Sequence, residues 1–472
     1  MQFRRLILGL ALLAAGTFPA VAHTSEMAFV LLLPTGYYLV GGTLAVAITF
    51  GLIYFVPRIW LDQAVIRRWS IGSVHLPKRV WTSAAAFLFL AALVALGFLG
   101  SRDPRANPLP VYVWSLWWVG FTFLQALLGN LWRWGNPFLA PHRALLLIAG
   151  RRGKLPLLDY PDWLGYWPAT LFFLCFAWFE LVDLAPDDPA RLARAVIGYL
   201  LVTQIGMLLF GARAWLGRAE AFSVFLGFIA QLSPLRARRE TGRRYSLTLG
   251  PPGARLLDIT PLPVSGVLFL LLTLASVSFD GLSRSFWWLD LGGINPLEFP
   301  GRSAVLWQNS IGLVAMWLAL AGAYFLAMAL GRAVNPALGT RRAAGLFVTS
   351  IIPIALAYHF AHYLTILLVD LQYGLRVTSD PLANGADLLG LGRFYVTTSF
   401  LNDYHSVVMI WNAQAGAIIL GHVIAVAAAH LLSGRAAEVA PRAAYLGQIP
   451  LAVLMVLYTL FGLWLMATPT AG

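Results

Sequence analysis

One stretch decides the fold: GLFVTSIIPIALAYHFAHYLTILLV, residues 345–369, is 25 residues long and contains no Asp, Glu, Lys or Arg. An apolar run of about 20 residues is long enough to cross the hydrocarbon core of a bilayer as a helix. The whole chain of 472 residues is 59% hydrophobic and only 11% charged, whereas an average soluble domain carries about 25% charged residues. So little charge could not cover a soluble globule. The sequence therefore predicts an all-α polytopic membrane protein.

Nine further apolar segments resemble 345–369, which gives about ten transmembrane helices in a single domain over residues 23–472. The predicted spans are 37–56, 80–99, 110–130, 163–183, 192–211, 263–279, 305–331, 345–369, 405–431 and 447–467. A shorter apolar segment, AEAFSVFLGFIAQL (219–232), is predicted to be an interfacial or re-entrant helix. The basic segment RARRETGRR (236–244) is predicted to be a loop that faces anionic lipid. The single cysteine, Cys175, excludes an internal disulfide and is predicted to be a small buried residue.

The net charge of +13 comes from basic residues that lie between the apolar segments. Five alternate loops hold 23 Lys and Arg, and the four loops on the other side hold 8. Cytoplasmic loops carry such an excess of basic residues. The distribution therefore indicates membrane topology and argues against a nucleic-acid partner. The lipid bilayer is the partner that the sequence predicts.

The N-terminus has the order of a secretory signal peptide. Arg4 and Arg5 precede an apolar stretch from Leu6 to Phe18, and Ala20-Val21-Ala22 follows as a small-residue cleavage site. We predict a signal peptide over 1–22, a mature chain beginning at His23, and a bacterial inner-membrane location with both mature termini in the periplasm. The alternative is an uncleaved anchor.

Histidines inside the spans are the first candidates for chemistry, because ionisable groups at membrane depth are costly and usually functional. His359 and His362 are three residues apart, about 300° around a helix, so they project from nearly one face. Neutral imidazole is the commonest metal ligand among side chains. The predicted metal ligands are His359, His362, His422, His405 and His23. His422 lies roughly 10 Å from the depth of His359 by helical rise, and histidines hydrogen-bonded between helices are the alternative to a metal.

Acidic residues collect on the predicted periplasmic side, where 13 of the 20 fall. Three close a span and are predicted to serve as catalytic base or ligand: Glu180, Asp280 and Asp370. Glu180 is the strongest candidate, because WFELVD surrounds it with apolar residues. The alternative is that these acids are merely solvated loop charges. The sequence contains no P-loop, HExxH, CxxC or GxSxG motif.

The order of several segments resembles a family of bacterial polytopic membrane proteins known as fenitrothion hydrolases. The segments that carry the resemblance are AHTSEMAFVLLLPTGYYLVGG (22–42), WSLWWVGFTFLQALLGNLWRWGNPF (114–138), AEAFSVFLGFIAQLSPL (219–235), VSFDGL (277–282), PIALAYHFAHYLTILL (353–368), SDPL (379–382) and GHVIAVAAAH (421–430). They extend over most of the chain, and none is a catalytic signature. The resemblance implies hydrolysis of a small lipophilic aryl organophosphate.

Three functions remain open on the sequence. The first is a metal-assisted hydrolase, in which histidine-bound Zn or Mn would lower the pKa of a bound water to about 7. The second is a redox or metal-handling protein that binds haem or copper through the same histidines. The third is a transporter or assembly subunit without catalysis, which polar residues within the spans, such as Gln125, Asn412 and Gln414, would support.

Overall fold

The architecture is a bundle of membrane-length helices. The structure, a computed structural model, describes residues 35–56, 58–151, 156–298, 301–336, 339–436 and 445–470. In this part of the chain ten helices are long and apolar enough to cross a membrane, which confirms the predicted all-α polytopic bundle. The signal peptide predicted over 1–22 and the candidate ligand His23 lie outside the described residues.

Ten spanning helices and one short buried helix are numbered here in chain order. They are α1 (Thr35–Ile53), α2 (Arg79–Leu99), α3 (Pro108–Leu128), α4 (Trp167–Leu181), α5 (Pro189–Phe210), α6 (Ala221–Ile229), α7 (Val264–Ser283), α8 (Leu306–Val334), α9 (Ile352–Ser379), α10 (Tyr404–Ala436) and α11 (Ile449–Ala467). Shorter helices are Arg58–Ile66, Trp132–Gly135, Leu139–Ile148, Phe286–Leu291 and Thr340–Phe347. Single helical turns occur at Asp162–Leu164, Ala212–Ala214, Trp215–Ala219, Ala230–Leu232, Ala254–Asp258, Pro296–Glu298, Val348–Ile351 and Ser399–Asn402.

A small antiparallel sheet marks one end of the bundle, which we call the sheet end; the opposite end is the far end. The strands are β1 (Trp69–His75), β2 (Leu235–Arg239) and β3 (Arg244–Leu249), in the order β1-β3-β2. The segment 236–244 lies between spanning helices, as predicted, but it has regular β-structure that the prediction of a loop did not include. The segment is a β-hairpin that keeps its arginines exposed while the residues of β3 from Tyr245 to Thr248 are partly buried.

The centre of the bundle is formed by α7 and α9. In the most apolar stretch of α7, 78% of the residues are buried. The corresponding share is 83% for α9 together with the turns that precede this helix, but only 17% for α1 and for α2. Helix α10 packs tightly on α9 at Gly421, where an added Cβ would lie 2.9 Å from the carbonyl oxygen of Pro353. Polar side chains on α7 and α9 are therefore shielded from lipid by the surrounding helices.

Helix α3 departs from regular α-helical geometry. Asn107 caps its first turn by accepting a hydrogen bond from Leu109 N at 2.9 Å, and Pro108 fits the first helical position. The following residues, Val111–Phe121, form a π-helix before α-helical geometry returns at Thr122. Widened turns of this kind are rare and often occur at functional sites. This segment places Trp118 against the middle of α9.

The short apolar segment predicted at 219–232 contains α6. Glu220, which is fully buried, caps this helix by accepting hydrogen bonds from Phe222 N at 2.9 Å and Ser223 N at 2.7 Å. Tyr199, near the middle of α5, also donates to Glu220. Since Ala219 and Ala221 are also fully buried, the helix enters the bundle from the sheet end. Of the two predicted arrangements, interfacial and re-entrant, the segment has the re-entrant one.

Candidate functional site

Ionisable side chains from three helices meet inside the far-end half of the bundle. We call this group the far-end network and define it as Glu180, Asp280, Arg284, His362 and Tyr363. The Tyr363 hydroxyl oxygen lies 2.8 Å from Glu180 Oε1 and 3.1 Å from Asp280 Oδ2, so its single proton can be donated to either carboxylate. His362 Nε2 lies 2.7 Å from Asp280 Oδ2. The network thus joins two of the three predicted catalytic acids to one of the predicted metal ligands.

Helical periodicity explains why these residues converge. Asp280 and Arg284 are four residues apart at the end of α7, so they share one face, and Arg284 NH2 lies 3.2 Å from Asp280 Oδ1. His362 and Tyr363 are consecutive on α9, about 100° apart around the helix, and both reach Asp280 from one side. Glu180 comes from the last turn of α4.

Asp280 and Glu180 differ in how their charge is compensated. The Asp280 side chain is 3% exposed and is contacted by His362, Arg284 and Tyr363. Glu180 accepts from Tyr363, but its carboxylate forms no ion pair with any cation among the described residues. Glu180 is only partly exposed, and a carboxylate largely shielded from water without a cation is costly to keep charged. Glu180 is therefore the group of the network best placed to carry a proton.

Two arginines close the network toward the far end. Arg302 NH1 donates to the carbonyl oxygens of Glu180 at 2.9 Å and Asp183 at 3.0 Å. Burial lowers the pKa of Arg302, with a further contribution from nearby Arg284. The adjacent Asp280 raises the pKa of Arg284. Because the Arg284 side chain is 48% exposed and that of His362 is 21% exposed, the network is reachable from this end.

His359 lies beside the network, one turn from His362 toward the sheet end. It is 4% exposed, its Nε2 lies 3.2 Å from the carbonyl oxygen of Trp118, and its ring centroid lies 4.8 Å from that of Tyr363. A cavity of about 10 Å³ adjoins Glu180, His359 and Tyr363, and Thr273 and Ser276 also line it. That volume has room for about one water molecule.

Further cavities continue from this one toward the sheet end. A second cavity of about 10 Å³ shares Phe225, Ile229, Thr273 and Ala355 with the first. Phe228 lines this second cavity and also a cavity of about 830 Å³ at the sheet end. The cavities thus lie in a row between the network and the sheet end, and apolar side chains from α6 narrow the middle of the row.

The other predicted site residues lie away from the network. His422 is fully buried, but its Nδ1 bonds the carbonyl oxygen of Ile418 at 2.8 Å. Because Gly421 packs against Pro353, His422 lies about 9 Å from His359 along the bundle. His405 is exposed at the start of α10. Asp370 accepts from Ser115 and is about 10 Å along α9 from Tyr363.

The metal assignment stays a prediction. Among the described residues no three His, Cys, Asp or Glu side chains come together in a way that could hold a metal ion. His23 is not part of the described chain, so its contribution is open. The contacts that the structure does show for His359 and His422 are to backbone carbonyl oxygens, as expected for neutral histidines hydrogen-bonded within a bundle.

Sequence reasoning missed Tyr363, which connects the two acids. A tyrosine carries no charge at neutral pH and therefore does not stand out in an apolar span. The signal that could have found it is its place in YHFAHY, directly after His362. The prediction for Cys175 was wrong: this residue is exposed and lines an apolar cavity between α2, α3, α4 and α5.

These features define the class of the molecule as a polytopic α-helical integral membrane protein with a buried ionisable network. Comparisons found no family model, no curated protein and no solved structure that matches the chain. Any function must therefore be argued from the site itself.

Proposed function

We propose that the chain is a proton-coupled membrane transporter whose proton-binding site is the far-end network. The observation that carries this proposal is the Tyr363 hydroxyl, which lies within hydrogen-bond distance of both Glu180 and Asp280. Chains of acidic, histidine and hydroxyl groups inside a bundle are the usual means of moving protons in pumps and transporters. The row of cavities toward the sheet end supports a path that continues through the bundle.

Within the network each side chain has a separate task. Asp280 stays charged between Arg284 and His362 and holds Tyr363 in place. Glu180 binds and releases the proton, which reaches it through Tyr363 or through the adjoining cavity. A proton on Glu180 removes the charge of the network carboxylate that forms no ion pair among the described residues, so proton binding changes the balance of forces between α4, α7 and α9. That change is the step coupled to movement of the helices.

The test is a rapid pH jump applied to the protein reconstituted on a solid-supported membrane, with charge displacement as the readout. Proton binding inside the membrane displaces charge without any transported substrate. We expect a transient displacement for the wild type and its loss in Glu180→Gln and Tyr363→Phe. Glu298→Gln is the matched control, because Glu298 is an exposed carboxylate in a far-end loop. Equal displacement in wild type and Glu180→Gln, or none in the wild type, would overturn the proposal.

A second candidate is hydrolysis of an aryl organophosphate, which the contact between Asp280 and His362 favours. A histidine oriented by a carboxylate can act as a general base. With Nε2 facing Asp280, Nδ1 would take the proton from water as the water oxygen attacks phosphorus and the aryl oxygen leaves as nitrophenolate. The metal-assisted form of this reaction would place the ion on His359 and His362.

Hydrolysis with and without a metal can be distinguished by comparing the purified wild type with the His359→Ala, His362→Ala double variant. Nitrophenol release from an aryl phosphorothioate should be seen with the wild type and lost in the variant. Elemental analysis for Zn, Mn, Fe and Cu shows whether a metal is lost with it, and Fe or Cu would indicate haem or copper chemistry instead. Absence of nitrophenol release by the wild type would contradict a hydrolase.

The excess of basic residues at the sheet end leads us to place this end in the cytoplasm of a bacterium and both mature termini in the periplasm. Alkaline phosphatase fused to the C-terminus is active only in the periplasm and should be active here. Activity of a fusion at Arg239 in the hairpin, with an inactive C-terminal fusion, would reverse the orientation.

A further inference from the structure

The large cavity at the sheet end is lined by arginines from five separate helices and helical turns. It has a volume of about 830 Å³, within the range of about 300–1,000 Å³ typical of small-molecule sites. We call it the basic cavity and define it by its five arginines. They are Arg79, Arg133, Arg143, Arg213 and Arg255.

No carboxylate in the described chain forms an ion pair with any of the five arginines. Asp258 also lines the cavity, but it pairs with Arg236, whose NH1 lies 3.9 Å from Asp258 Oδ2. Burial lowers the pKa of Arg255, and the charge of neighbouring Arg236 adds to this effect. The cavity therefore concentrates five positive charges, of which Asp258 offsets only a part.

Two of the guanidinium groups are held in position by backbone oxygens. Arg79 Nε donates to the carbonyl oxygen of Arg133 at 2.9 Å. Arg255 NH1 donates to the carbonyl oxygen of Ala230 at 3.3 Å. A guanidinium fixed in this way keeps its other N–H groups for a ligand. Paired N–H donors match the oxygens of phosphate, which arginine binds in a bidentate manner.

An apolar cavity of about 750 Å³ adjoins the basic one. The boundary runs through one short segment, in which Leu131 and Trp132 line the apolar cavity while Asn130 and Arg133 line the basic cavity. Trp132 Nε1 donates to Ser223 Oγ at 3.1 Å and so forms part of the dividing wall. A phosphate group could therefore come from a soluble anion or from a lipid headgroup whose chain lies in the apolar cavity.

We propose that the basic cavity is a binding site for a phosphate or diphosphate group at the sheet end of the bundle. The ligand is a phosphate-bearing molecule, either soluble or a phospholipid, and its phosphate oxygens lie between the arginines. This proposal does not rest on the transport proposal, although the same cavity lies at the sheet end of the row of cavities that leads from the far-end network.

The test measures binding of two probes to the purified full chain by calorimetry and native mass spectrometry. Inorganic pyrophosphate represents a soluble ligand, and phosphatidic acid in phosphatidylcholine nanodiscs represents a lipid. We expect saturable binding of at least one probe, weakened about tenfold or more in Arg143→Gln, Arg213→Gln, because this variant loses two guanidinium groups that can hydrogen-bond phosphate. Binding of pyrophosphate indicates a soluble ligand, and binding of phosphatidic acid alone indicates a lipid.

Two controls separate the cavity from general surface charge. Arg244→Gln removes one charge from β3 at the same end, where Arg244 pairs with Glu240, and should leave binding unchanged. Arg143→Lys, Arg213→Lys keeps the charge without the bidentate geometry and should bind with intermediate affinity. The proposal is overturned if neither probe binds saturably to the wild type, or if Arg244→Gln weakens binding as much as the double glutamine variant.

Discussion

The far-end network and the basic cavity place ionisable groups in the same bundle in opposite ways. In the network, Asp280 is surrounded by Arg284, His362 and Tyr363, and its side chain is 3% exposed. In the basic cavity, five arginines share a volume of about 830 Å³ without an ion-pair partner in the described chain. In the network the charges are paired with one another, whereas in the basic cavity the arginines outnumber the single lining carboxylate, Asp258.

This difference separates contacts that stabilise the fold from charges that await a ligand. Removing one partner from a buried charged network strands the others in a medium of low dielectric constant. Removing one charge from an open cluster of like charges relieves repulsion instead. Substitutions in the network should therefore lower the free energy of unfolding strongly. Substitutions in the basic cavity should change it little, and they can raise it.

The largest effect is expected for Asp280→Ala, which leaves Arg284 and His362 without their carboxylate. We predict a loss of about 3–5 kcal/mol in the free energy of unfolding, as for other broken buried ion pairs. Unfolding by sodium dodecyl sulfate in mixed micelles, followed by circular dichroism, measures it. Glu298→Ala, at an exposed carboxylate, is the control. A loss below about 1 kcal/mol would mean that the network is not closed on itself.

A smaller effect is expected for Tyr363→Phe, which keeps the ring and removes the hydroxyl between two carboxylates. We predict a loss of about 1–3 kcal/mol, because the hydroxyl donor shared by the two acids is lost. A double-mutant cycle with Glu180→Gln should be non-additive, since the residues are in direct contact. Additive losses of unfolding free energy would mean that Tyr363 and Glu180 are not energetically coupled.

The smallest effect is expected for Arg213→Gln in the basic cavity. Without ligand we predict a change within about 0.5 kcal/mol, with any gain arising from reduced repulsion. The same unfolding titration applies, at low and at high salt. If this substitution destabilised the protein as much as Asp280→Ala does, the two regions would not differ in kind.

The composition and hydropathy of the sequence were enough to predict the spans, because ten apolar runs of sufficient length have few folded alternatives. The re-entrant segment was predicted for the same reason, from an apolar run too short to cross. The π-helix in α3 was not predicted, since a change in hydrogen-bond register leaves no mark in composition. The β-hairpin around Arg239 was missed because its basic residues hide the alternation of a strand.

For the candidate site, the cost of burying charge selected Glu180, Asp280 and His362, which the structure brings together, while their catalytic and metal-binding roles stay predictions. The same argument selected Asp370 and His422, which lie away from the network, because depth in a span does not determine the direction of a side chain. The basic cavity could not be predicted. Its arginines come from distant segments, and each one alone is an ordinary basic residue at a helix end.

The central claim is that Glu180 binds a proton inside the bundle. Infrared difference spectra between low and high pH test it directly, because a protonated carboxyl group has a C=O stretch distinct from that of a carboxylate. The account predicts a carboxylic-acid band in the wild type and in Glu298→Gln that disappears in Glu180→Gln. The same band in Glu180→Gln as in the wild type would contradict it.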